Sequence, residues 1–263
     1  SGRLRRLMPL MSDSNSMSDS ASEARTARLR AICPQIAIDG PSGSGKSTVA
    51  RALAGLLGGD YVVTGATYRA VTWWMLQCGV DVAQAAEIAA RVNEPIIELG
   101  VDPQAPAVWV DARDVSTDVR SAEVSAAVSK VAAVPEVRTR MVALQRAYAE
   151  RARDEGRAVV MEGRDIAEVV LPDADSKVWL TADLHARAAR RAAKDEQLLG
   201  AQSAVTDVAE SLQQRDVADS SRAVTPVAMA AGAIVVDATD LNVEQTVRAV
   251  LDVAVMQAGV ADA

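Results

Sequence analysis

Residues 40–47 read Gly40-Pro41-Ser42-Gly43-Ser44-Gly45-Lys46-Ser47, with Thr48 next, and they carry the most recognisable chemistry in the chain. The spacing is Gly, four residues, then Gly-Lys-Ser. Glycine at 40, 43 and 45 permits backbone angles and a close approach that a Cβ would obstruct. Such a turn aims consecutive N–H groups at phosphate oxygens, and the N-terminus of the following helix adds positive potential. Lys46 supplies a mobile charge for β- and γ-phosphates, and Ser47 offers a hydroxyl to Mg²⁺. The implied ligand is a nucleoside triphosphate of the ATP type; the reaction stays open. The context supports the motif. An apolar run enters it at residues 36–39, and Val49, Ala52, Leu53 and Leu56 leave it at helical spacing.

Three further clusters could face an acceptor. Thr64 and Arg69 flank a turn at Gly65, after a short apolar run; a solvated arginine is the plainer alternative. The run at 158–161 ends in Glu162-Gly-Arg164-Asp165. In open α/β sheets ligands gather at the C-terminal ends of strands. Glu162 is thus placed like the acid that such proteins aim at Mg²⁺ or its waters, unless the segment is only a surface turn. Arg187, Arg190 and Arg191 fall at i, i+3, i+4, and Arg215, Asp219 and Arg222 at i, i+4, i+7, so each trio shares a helix face. Arginine forks suit phosphate oxygens, although either face could equally be a solvated basic surface.

The elements that must position these residues alternate. Short apolar runs at 36–39, 61–63, 158–161, 177–180 and 234–237 read as strands buried on both faces. Helical periodicity follows the glycine loop and recurs over 121–133, 136–154, 184–198, 206–218 and 243–258. The predicted fold is α/β, a parallel sheet between two helical layers. Runs at 96–99 and 108–110, joined by VDPQAPA, interrupt the rhythm and predict a small antiparallel insert. Residues 12–30 are Ser-rich and polar, and 1–33 are expected to form a disordered tail ahead of one folded unit, 34–263.

Composition narrows the function. The net charge is −7, while the first thirty residues hold six arginines against three acids. An acidic body argues against broad nucleic-acid binding, which needs phosphate neutralisation by Lys and Arg. Two cysteines, Cys33 and Cys78, with one histidine, His185, offer neither a disulfide framework nor a zinc set and suit a reducing cytoplasm. No run reaches the roughly 18 apolar residues of a membrane helix, and the opening SGRLRRLMPLM is broken by Pro9 where a secretory signal needs a continuous apolar core.

Taken in order, IAIDGPSGSGKSTVAR, TGATYR, EGRDIAEVVLPDA and RDVADSSRAVTP resemble bacterial cytidylate kinases, the CMP kinases among P-loop nucleoside monophosphate kinases. The resemblance spans about residues 35–250. It implies transfer of the ATP γ-phosphoryl group to CMP or dCMP with Mg²⁺, by a cytoplasmic and monomeric protein. It also implies a monophosphate-binding insert over about 64–140 and a helical lid over about 187–204. Carried over by motif, phosphate and ribose contacts fall on Thr64, Arg69, Arg164, Arg215, Asp219 and Arg222, and cytosine contacts on Ser129, Arg138 and Asp165. Arg187, Arg190 and Arg191 match the lid that joins Lys46 around the triphosphate. A carboxylate at Asp165 suits the N4 amine of cytosine, where uracil presents an oxygen. The chain departs from the family pattern at Val63, usually Asp, and at Ala167 and Glu168, usually Gly and Thr. Two other readings fit the glycine loop alone: a kinase for UMP or another small acceptor, and a nucleotide-binding module with little turnover.

Overall fold

A computed structural model describes residues 23–199, 204–220 and 228–260. The centre is a five-stranded sheet of β1 (Gln35–Asp39), β2 (Asp60–Val63), β6 (Val159–Glu162), β7 (Ser176–Thr181) and β8 (Ile234–Asp237), ordered β2-β6-β1-β7-β8 and parallel throughout. All five strands lie within a residue or two of the predicted runs. Their apolar continuity follows from burial on both faces. Ile36 and Ile38 pack to one side and Ala37 to the other; Val160 opposes Val159 and Met161 in the same way.

One face is covered by α2 (Lys46–Leu57) and α9 (Val243–Gln257). The other is covered by α3 (Thr64–Gln77), α6 (Pro135–Asp154) and the insert. The insert holds α4 (Ala85–Arg91), β3 (Ile97–Leu99), β4 (Val108–Val110), β5 (Arg113–Asp114) and α5 (Ala122–Ala132). Its sheet has a third strand, β5, beyond the predicted hairpin, with β3-β4 and β4-β5 both antiparallel. Toward the C-terminus α7 (Leu184–Leu199) and α8 (Val205–Ser220) pack on one another beside the glycine loop.

Two sequence expectations need correction. Residues 23–31 form a helix, α1, and not part of a disordered tail. Leu29 is fully buried against α2 and α9, which outweighs the polar composition around it; Arg25 pairs with Asp252 at 3.6 Å, and Arg30 donates to the Leu56 carbonyl. Residues 1–22 lie outside the described residues. The helices α3 and α4 were also not foreseen. In α3 the sequence TGATYRAVTWWMLQ is buried on several sides, so it lacks the one-sided stripe by which helices are recognised. Among the described residues no helix is long and apolar enough to cross a membrane.

Candidate active site

The glycine loop runs from the end of β1 to Gly45, whose positive φ of 98° caps α2. A Cβ on Gly40 would sit 2.0 Å from the Leu180 carbonyl oxygen, so the loop can pass β7 only as glycine. Three successive loop carbonyls each accept from a cation. Arg164 donates to Gly40 O at 2.7 Å, Lys46 to Pro41 O at 2.7 Å and Arg187 to Ser42 O at 2.9 Å. The charges crowd together. Burial first, and then the Arg164 guanidinium, pull the Lys46 ammonium down to about 7. Two buried polar atoms here, Ser44 Oγ and Arg187 Nε, have no hydrogen-bond partner. Below the loop Ser47 Oγ donates to Glu162 Oε1 at 2.7 Å. Tyr61 is buried close by, and its phenol is pushed up by burial and by the Glu162 charge.

The segment after β6 is held to the loop by a residue that the sequence reading passed over. Asp39, the last residue of β1, accepts from the Ile166 and Ala167 N–H groups at 2.9 and 2.8 Å. Burial pushes its carboxyl up to about 6, opposed by those two N–H groups. Ala167 takes part in these bonds through its main-chain N–H, and its side chain is buried. Glu168 is exposed. Val63 is the extended residue before α3 and gives that helix no side-chain cap; it lies in register with Glu162. The turn Ile166–Val170 delivers Asp165 to Arg138, and the two form a buried pair through Asp165 Oδ2.

On the insert side Arg69 donates to Val119 O and Ser125 Oγ, both at 3.0 Å. Burial first, and then the charges of Arg215, Arg120 and Arg191, push its guanidinium down to about 10. The charges of three arginines, from α8, the turn Asp118–Arg120 and α7, therefore bear on Arg69 of α3. Arg120 had no place in the sequence reading; only its position next to Val119, which the fold brings onto Arg69, singles it out. Ser129 lies on the exposed side of α5, one turn beyond Ser125. Thr64 opens α3, and its hydroxyl donates to the Glu162 carbonyl at 2.8 Å, so it braces β2 against β6.

The three α7 arginines do not stay together. Arg187 turns to the loop and pairs with Asp216 at 2.5 Å, while Arg191 joins the field at Arg69. Arg190 donates instead to the carbonyls of Ala238, Thr239 and Leu241, after β8. Sharing a face by spacing did not bring it to the triphosphate end, because that face straddles the loop and the β8 side. Asp216, adjacent to the predicted Arg215, was not foreseen. Asp219 lies in the last turn of α8; Arg222 and residues 200–203 of the expected lid are outside the described residues. No group of three His, Cys, Asp or Glu able to hold a metal occurs among the described residues.

A family model described as cytidylate kinase matches residues 36–256. The chain is similar to a cytidylate kinase of Streptomyces avermitilis, 49% identical over 216 residues, covering 82% of this chain and 90% of that protein. It is 48% identical over 226 residues to one from Streptomyces griseus, covering 86% and 93%. Similarity extends to Geobacillus thermodenitrificans, whose cytidylate kinase is 42% identical over 225 residues, covering 85% and 96%.

Proposed function

The chain belongs to the cytidylate kinase family, and from that premise we propose that it transfers the γ-phosphoryl group of ATP to CMP or dCMP, giving CDP or dCDP. The observation that carries the reading is the convergence of two cationic centres. One is the loop with Lys46, Arg164 and Arg187; the other is the arginine cluster around Arg69. Two nucleotides bound end to end, phosphate to phosphate, need this distribution. A site for one nucleotide needs only the first centre.

In this reading residues 40–48 cradle the triphosphate, and the buried Ser44 hydroxyl and Arg187 Nε supply donors for its oxygens. Lys46, Arg187 and Arg191 spread the charge that builds on the transferring group, Lys46 and Arg187 by exchanging a loop carbonyl for a phosphate oxygen. The residues fit Mg²⁺. A hydroxyl and a carboxylate oxygen meet at Ser47 and Glu162, and this ion uses one or two protein oxygens and completes its shell with water and phosphate. When bound, Mg²⁺ supplies added positive charge on the triphosphate oxygens. Arg69, Arg215, Asp219 and Arg222, with Thr64 as a brace and Arg164 reaching across from the loop, receive the acceptor's phosphate and ribose. Arg138 holds Asp165 Oδ2, which leaves Oδ1 to accept from the cytosine amine, with Ser129 at the edge of the base. The acceptor oxygen is already ionised, so alignment and charge stabilisation suffice without a general base. Arg190 takes a different part here, holding the loop after β8. A monomer in the cytoplasm, where both substrates are plentiful, completes the proposal.

The test is a coupled assay with ATP, Mg²⁺ and, in turn, CMP, dCMP and UMP. The expected result is rapid CDP and dCDP formation with UMP at least about tenfold poorer, the ratio set by one misplaced buried hydrogen bond. Tight ATP binding without CDP formation would overturn the reading.

A further inference from the structure

The backbone N–H and C=O of Ser42 sit inside a closed ring of three hydrogen bonds. Its N–H donates to Asp216 Oδ1 at 3.2 Å, Asp216 Oδ2 accepts from Arg187 Nη1 at 2.5 Å, and the same Nη1 donates to Ser42 O at 2.9 Å. One carboxylate on α8 and one guanidinium on α7 thereby hold both hydrogen-bonding groups of a single loop residue. The helices leave no slack. A Cβ on Gly43 would lie 3.1 Å from the Arg187 carbonyl oxygen and 3.3 Å from Leu212 Cδ1, so α7 and α8 rest directly on the loop. Arg187 is buried, whereas the Asp216 side chain is a quarter exposed. The residue before Asp216 is Arg215, whose charge acts on Arg69 at the acceptor side. Consecutive residues of α8 thus reach the two halves of the site.

We propose that Asp216 is a positioning residue that couples the two nucleotides: it fixes the Ser42 peptide and Arg187 according to where α8 lies, and α8 is drawn by the acceptor phosphate through Arg215. The inference rests on reading residues 40–48 as the ATP site. Asp216 touches no reacting atom. It sets the loop that does, so its removal weakens ATP binding and disconnects it from CMP.

The experiment titrates the full chain with a fluorescent ATP analogue, with and without saturating CMP, in the parent, D216N, R187K and the double variant. In the parent, CMP shifts the analogue's affinity several-fold. In D216N the affinity falls about tenfold, as for loss of a charge-assisted pair, the CMP effect disappears, and CMP affinity stays within about threefold because Arg69 and Arg215 are intact. The double variant loses no more than the worse single variant, as for two members of one ring. Where D216N fails to fold, D216E, which keeps the charge but displaces the Ser42 bond, provides the same readouts. Unchanged analogue binding in a folded D216N, equal losses toward both nucleotides, or additive single effects overturn the coupling role alone. A parent that does not bind the analogue overturns the ATP reading and this inference with it.

Discussion

At the donor loop three cations are bonded to three successive carbonyls, of Gly40, Pro41 and Ser42. Around Arg69 the charges of three further arginines bear on a guanidinium that itself donates to a carbonyl and a serine hydroxyl. The first region neutralises part of its charge with its own backbone dipoles and is rigidly tied to the sheet through Asp39, Ser47 and Glu162. The second draws on four separate elements, and the like charges that bear on Arg69 raise its attraction for an anion. On the proposed reading, a preformed donor site stands beside an acceptor site where an incoming phosphate offsets the like charges around Arg69. The arrangement suits an enzyme that must bind its acceptor before transfer, since closing the arginines around a phosphate is favourable and closing them without one is not.

The comparison breaks most directly at Lys46. Replacing it with Met should lower kcat by about 100- to 1000-fold, the loss typical of a preorganised charge at a transition state, with the CMP KM little changed. Steady-state kinetics check this; a comparable rise in both KM values would mean that the two regions are not separable. Arg69→Met should raise the CMP KM by roughly 10- to 100-fold, as for truncating a buried charged contact, and leave the ATP KM alone. The same variant relieves like-charge repulsion, so its melting temperature should hold or rise. A fall in melting temperature with unchanged KM would make Arg69 a structural residue.

These contrasts also show what could be read from the chain. The glycine loop was legible because its geometry is local, and residues 40–48 encode it in contiguous order. The five strands were legible because burial on both faces leaves continuous apolar runs such as Ala158–Met161. The acceptor side was legible only in part. Arg69 drew notice by its place beside Gly65 and Arg138 only through the resemblance, but Arg120 owes its place to Arg69 reaching the Val119 carbonyl, a contact between residues 50 apart. Asp39 hid as the polar end of a strand, though its carboxylate organises a turn 127 residues away. Spacing on α7 grouped Arg190 with its neighbours and could not register that the loop after β8 draws it off. Leu29, a single apolar residue in a polar run, likewise carried too little local signal to announce a packed helix.

Asp165 sharpens the acceptor half at a smaller scale. Asp165→Asn keeps the shape and replaces an acceptor with an amide that can also donate. The CMP to UMP ratio of kcat/KM should fall about tenfold, the discrimination carried by one buried hydrogen bond. Arg138 remains beside the new amide, so the thermal midpoint is the control for general damage. An unchanged ratio would move base recognition away from Asp165.

Arg190 should give the smallest effect on turnover, and it is informative for that reason. It shares a helix with Arg187 and Arg191, yet its guanidinium serves the carbonyls of Ala238, Thr239 and Leu241. Arg190→Ala removes hydrogen bonds from a charged donor to the segment after β8, a loss of about 1–2 kcal/mol. For a chain of this size that lowers the melting temperature by roughly 2–8 °C, while kcat stays within about threefold. Arg191→Ala should show the reverse, with little thermal change and a larger loss in kcat, because Arg191 lies exposed in the field of Arg69. Differential scanning fluorimetry beside steady-state kinetics separates the two. If Arg190→Ala lost more than tenfold in kcat without melting earlier, the α7 arginines would act as one catalytic face after all, and the division between a tethered donor site and an open acceptor site would have to be redrawn through the middle of that helix.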